Sequence, residues 1–150
     1  MTARQVVRRL PRAALGFLSA VAAMNGCSGP AEPANASFPA SPIVTMTSKT
    51  GELSVEVRTS PQPPVRGTNL VELTVTSTVD GSPRPGLSIA MTPWMPAMNH
   101  GSSAIPTATP ETGGKYLVTD VDLFMPGRWE LRTSFSGPAK DYVAPAFDVP

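Results

Sequence analysis

The sequence predicts an all-β domain, a two-sheet antiparallel sandwich. Three observations predict it. Apolar and polar residues alternate with period two in several stretches, the pattern of strands with one buried face. Proline (18 residues) and glycine (12 residues) are abundant and cluster between those stretches. Beyond the N-terminal segment no helical period is sustained. At 150 residues the chain has room for one domain.

The elements follow in chain order. Ile43–Ser48 opens the domain. Glu52–Thr59 alternates, with Leu53, Val55 and Val57 inward and Ser54, Glu56 and Arg58 outward. Asn69–Thr76 sends Val71, Leu73 and Val75 inward, and Leu87–Thr92 sends Leu87, Ile89 and Met91 inward. Ser103–Thr109 and Lys115–Leu123 follow. Arg128–Phe135 directs Trp129, Leu131, Thr133 and Phe135 inward, and Tyr142–Asp148 closes the set. Between them lie the turn signals "TSPQPPVRG", "VDGSPRPG", "TPETGG", "MPG" and "SGPAKD". Seven or eight such strands predict an immunoglobulin-like two-sheet antiparallel sandwich. Tyr116 follows a glycine pair at a strand start, and is predicted to tie down the preceding loop through its hydroxyl.

The N-terminus predicts export. Four arginines stand in the first dozen residues, followed by the apolar run "AALGFLSAVAA" and then "MNGC". Eleven apolar residues match a signal-peptide core and are too few to span a bilayer. "MNGC" resembles a bacterial lipobox, so residues 1–26 are predicted to be removed and Cys27 to carry lipid. Cys27 is the only cysteine and has no partner for an internal disulfide. Residues 28–42, rich in Pro, Ala and Ser, are predicted to be a disordered linker, with the folded domain over 43–150. The implied location is the periplasmic side of the bacterial cell envelope. From Cys27 onward eight Lys and Arg face eleven Asp and Glu, a balance of −3, which leaves no basic patch for nucleic acid.

The chemistry gathers in "MTPWMPAMNHGS", Met91 to Ser102. It holds three of the seven methionines and the single histidine. Because proline cannot donate to a sheet ladder, Pro93–Ser102 is predicted to be a loop after the fourth strand. If strand directions alternate, that loop shares one end of the sandwich with the "FMPG" turn. Met95, Met98, His100 and Met125 then converge. Thioether sulfur is soft and suits Cu(I) better than Zn(II), Ca(II) or Mg(II), and one imidazole adds affinity. The alternative is structural, since methionine also fills core gaps and packs on aromatic rings, here Trp94 or Trp129. Met91 and Met46 are assigned to the core, and Met125 to either role. Asp120 and Asp122 are read as a solvated strand face. Arg128–Arg132 is read as plain alternation without a cation–π contact. No HExxH, GxGxxG or P-loop pattern occurs.

These residues also resemble a known family. Met95-Pro96-x-Met98-x-His100, then Gly114-x-Tyr116, then Phe124-Met125-x-Gly127-x-Trp129 is similar to the YtkA-like domain, related to the FixH family. Asn99 stands where family members usually have glycine. The resemblance implies an extracytoplasmic immunoglobulin-like fold, like that of CopC-type sandwiches. It also implies an association with copper handling or oxidase assembly, and no enzymatic activity. Two functions are therefore expected in competition. One is a Cu(I)-binding module using Met95, Met98, His100 and Met125, with Trp94, Tyr116, Gly127 and Trp129 structural. The other is a metal-free module that uses the same loop end to contact a periplasmic or membrane protein.

Overall fold

A computed structural model describes residues 36–150 of the chain. The expected signal peptide over residues 1–26, Cys27 and the expected linker up to residue 35 lie outside the described residues. The strands are β1 (Val44–Thr47), β2 (Leu53–Ser60), β3 (Gly67–Ser77), β4 (Ser88–Met95), β5 (His100–Gly101), β6 (Thr107–Pro110), β7 (Lys115–Leu123), β8 (Gly127–Ser136), β9 (Asp141–Val143) and β10 (Ala146–Val149). They form two antiparallel sheets. One has the order β1-β2-β3-β7-β6, the other β10-β8-β4-β5, with β9 also paired to β8. Strands β2, β3, β7 and β6 against β4, β8 and β9/β10 reproduce the ABED and CFG sheets of the immunoglobulin fold.

The core follows from alternation. Leu53, Val55 and Val57 on β2 meet Val71, Leu73 and Val75 on β3, Met91 and Met95 on β4, and Trp129, Leu131 and Phe135 on β8, all buried. Each such side chain contributes about 1.5–3 kcal/mol on full burial. On β7 the alternation breaks, because Val118 and Val121 are both buried. The β3–β7 register shifts between Asn69 and Val71, so Thr119 and Asp120 together oppose Leu70. Asp120 takes a left-handed conformation there, with φ of 60°. This bulge turns Val121 back to the core and leaves Asp120 exposed. The two carboxylates do not pair: Asp120 accepts from Thr119 at 2.9 Å and Asp122 from Ser102 at 3.5 Å.

Several expectations need correction. The fourth strand does not stop at Thr92 but runs through Pro93 and Trp94 to Met95. The strand expected over Ser103–Thr109 is confined to Thr107–Pro110, because the residues before it carry the chain from one sheet to the other. The last strand is split into β9 and β10 around Pro145, whose carbonyl still accepts the Leu131 N–H at 2.8 Å. The final residues of the expected linker are docked. Arg58 donates to the Ala40 carbonyl at 3.3 Å, and Gln62 to that of Ser41 at 3.1 Å. Phe38 is half-buried beside them. Tyr116 ties down a loop, but not the one just before it. Its hydroxyl donates to the Arg84 carbonyl at 2.6 Å and accepts the Leu87 N–H at 3.0 Å, in the β3–β4 connection some thirty residues upstream.

At the end of the sandwich away from the methionine-rich segment, Asp141 clasps the two sheets together. Its carboxylate accepts from Ser48 Oγ, from Thr50 Oγ1 at 2.6 Å, from Thr50 N–H at 3.0 Å and from Tyr142 N–H at 2.8 Å. Ser48 Oγ also accepts the Leu53 N–H at 2.9 Å, so the clasp continues into β2. Burial alone would raise this carboxyl. The hydrogen bonds from Ser48, Thr50 and Tyr142 outweigh burial and hold its pKa to about 2, against an ordinary 3.8. The folded pKa lies below the unfolded one, so the stabilisation is complete above 3.8 and is lost as pH falls toward about 2. Urea unfolding of the wild type should show this loss across that window. Asp141→Asn should be less stable at neutral pH by about 2 kcal/mol, since the amide cannot serve the same donors. It should also lose less on acidification; an unchanged acid profile would refute the clasp.

Candidate functional site

The methionine-rich segment is the tip of a hairpin. Strand β4 pairs with β5 through Trp94 opposite Gly101 and Met95 opposite His100. The four residues between Met95 and His100 make the turn. Pro96–Met98 form one 3-10 turn, and Asn99 reverses the chain in a left-handed conformation (φ 51°, ψ 38°), its N–H donating to the Pro96 carbonyl at 3.2 Å. Asparagine is among the few side chains that adopt this region readily, so Asn99 meets the backbone need a glycine would.

Pro93 does not end β4, for a geometric reason. Its partner on β8 is Leu131, whose N–H points away to the Pro145 carbonyl. The Pro93 carbonyl accepts from Ser102 at 3.3 Å, on the other side of the strand. A strand residue directs its N and C=O to the same side, so the N–H that proline lacks is one β8 never required. Gly101 then lets β5 press onto β4, because a Cβ there would stand 2.6 Å from the Pro93 carbonyl oxygen.

Directly opposed residues of an antiparallel pair project to the same face, with Cβ atoms about 4.5–5.5 Å apart. Met95 is only 3% exposed and belongs to the core. His100 therefore stands on the same inner face, at the open rim above it, half-buried. Trp94 points to the opposite face. There the Arg132 guanidinium lies 4.7 Å from the centroid of its ring, and Arg132 Nε donates to Glu130 at 3.0 Å. Arg132 thus makes the cation–π contact that plain alternation did not predict, and Trp94 is not a partner for Met95.

The β7–β8 turn closes the other side. The rings of His100 and Phe124 are stacked, 5.8 Å apart at 19°. Phe124 meets Trp129 edge-on, 5.4 Å apart at 75°. Trp129 is fully buried, and its indole N–H donates to the Met125 carbonyl at 2.9 Å, which fixes the turn. A Cβ on Gly127 would meet the Met95 methyl at 2.8 Å. The structure thus brings Met95, His100 and the turn carrying Met125 together at one end of the sandwich. Met125 is half-buried against the core. Met98 sits on the hairpin tip, 55% exposed. Neither imidazole nitrogen of His100 has a hydrogen-bond partner among the described residues.

Phe124 is the residue of this site that sequence reasoning passed over. It belongs to the Phe-Met-x-Gly-x-Trp pattern, but a single residue between the end of β7 and the turn gives no periodic signal. Among the described residues, no three of His, Cys, Asp and Glu gather as a metal-binding group. A metal held at this end would therefore rest on thioether sulfur and one imidazole, the donor set that suits Cu(I).

The YtkA-like family model matches residues 47–134, which include the hairpin and the β7–β8 turn. No curated protein matches the chain. Among solved structures, a DUF4426 family protein from Pseudomonas aeruginosa PAO1 is similar, with 7% identity and a TM-score of 0.46 over 70% of this chain and 93% of that one.

Gly127 has φ of 125°, a region that L residues rarely adopt. The Met95 methyl is the end of a flexible chain and can give way; the backbone strain cannot. Gly127→Ala should cost about 1–3 kcal/mol in chemical denaturation. It should also shift the Met95 methyl resonance in NMR spectra. Unchanged stability and an unmoved methyl would refute the contact.

Proposed function

Because the chain belongs to the YtkA-like family and its hairpin pairs Met95 with His100 beside the Met125 turn, we propose that the domain binds Cu(I) at this end of the sandwich. Met95 and His100 would be the fixed ligands. Met125 would reach the site from the neighbouring turn, and Met98, exposed on the hairpin tip, would supply a further thioether. The observation that carries the reading is the cross-strand pair of Met95 and His100, which puts a methionine and an imidazole without a hydrogen-bond partner among the described residues on one face. Thioethers withstand an oxidising compartment in which thiolates are readily lost. The reading is of a non-enzymatic bacterial lipoprotein, exported and anchored through Cys27 on the periplasmic side. Its role would be metal handling or oxidase assembly.

One observation favours a second reading. Val65, Met98, Ile105 and Phe124 are exposed by 38%, 55%, 84% and 38%. All belong to connections at the methionine end, since Gly67 pairs with Leu123 and so sets the β2–β3 loop beside the β7–β8 turn. A metal-free module would present this apolar rim to a periplasmic or membrane protein.

A competition titration against a colorimetric Cu(I) chelator separates the two. The full-length protein should retain a single equivalent. A Met95→Leu/Met98→Leu/Met125→Leu/His100→Ala variant should retain none. Leucine conserves the buried volume of methionine at small cost, so the variant should keep its fold, and thermal melts check this. Equal binding by both proteins, or by neither, would overturn the copper reading.

A further inference from the structure

We propose that Phe124 is a positioning residue for His100, holding the imidazole in the orientation that metal binding requires; this rests on the copper reading above. A ligating histidine almost always donates its second ring N–H to a carboxylate, a carbonyl or water, and that partner fixes the plane of the ring. Among the described residues His100 has no such partner. What fixes its plane is the stack on Phe124, 5.8 Å between centroids at 19°.

The stack is itself anchored. Phe124 rests edge-on against Trp129 at 5.4 Å and 75°. Trp129 is fully buried, and its indole N–H holds the Met125 carbonyl at 2.9 Å. A rigid series therefore runs from the core through Trp129 and Phe124 to His100, and the same indole bond fixes the backbone that carries Met125. Stacking covers one face of the imidazole and leaves both nitrogens, which lie in the ring plane, free to coordinate. Phe124 remains 38% exposed in this position, a poor place for an aromatic ring whose only task is burial.

The test is a double-mutant cycle on Cu(I) affinity, measured by chelator competition with full-length wild type, Phe124→Leu, His100→Met and the double variant. Leucine keeps an apolar side chain at the turn but removes the flat ring. Methionine at position 100 retains a soft donor that has no ring to orient. Phe124→Leu should weaken Cu(I) binding by about 10-fold or more in the wild-type background. In the His100→Met background it should change binding less than about 2-fold, because the interaction it removes is already absent. In the metal-free protein, the His100 ring protons should be shifted upfield by the Phe124 ring current and should lose that shift in Phe124→Leu.

Equal losses in both backgrounds would make Phe124 a general structural contact and overturn the proposal. So would no loss in either, or histidine protons that do not move. If the wild type binds no Cu(I), the copper reading fails and this inference with it. If the wild type binds but Phe124→Leu behaves like it, the inference alone fails.

Discussion

The methionine end of the sandwich depends on β4 keeping its register with β8 across Pro93. Were the strand to stop there, Met95 would leave the core and His100 would lose its place opposite it. The register survives because Pro93 opposes Leu131 at a position where β8 asks for no donor. Two further local choices complete the hairpin. Asn99 accepts the left-handed backbone that reverses the chain, and Gly101 permits contact with the Pro93 carbonyl. A short stretch with two prolines is thereby made into an ordered ledge rather than a free loop.

The two ends of the sandwich are built on different physics. At the far end, Asp141 on β9 and Tyr116 on β7 use polar atoms to hold the β1–β2 and β3–β4 connections. At the methionine end sulfur, aromatic rings and glycine meet beside the indole N–H bond to the Met125 carbonyl and the Asn69 bonds to the β2–β3 loop. The ring nitrogens of His100 have no hydrogen-bond partner among the described residues, while its ring stacks on Phe124. Met95 is held in place by the core beneath it.

Much of the fold was legible in the alternation. The inward residues of β2, β3 and β8 are those that the period-two pattern selects, because their apolar side chains alternate toward one core. The pattern failed where backbone details intervene. The bulge at Asp120 adds a residue to β7, which no alternation rule anticipates. Proline was read as a strand terminator at position 93, although the side toward which its missing donor points depends on pairing partners some forty residues away. Docking of residues 38–41 rests on single side-chain bonds from Arg58 and Gln62, too sparse for composition to reveal. For the site, the convergence of the hairpin with the β7–β8 turn followed from strand parity alone. The stack of Phe124 on His100 did not, because it is a contact between two irregular segments.

Copper K-edge X-ray absorption on the full-length protein loaded with Cu(I) would report the ligand set at the methionine end. A shell of thioether sulfur with a single imidazole nitrogen is expected, and its nitrogen component should disappear in His100→Ala. A shell of nitrogen and oxygen without sulfur, unchanged in that variant, would contradict a site built on the Met95–His100 pair.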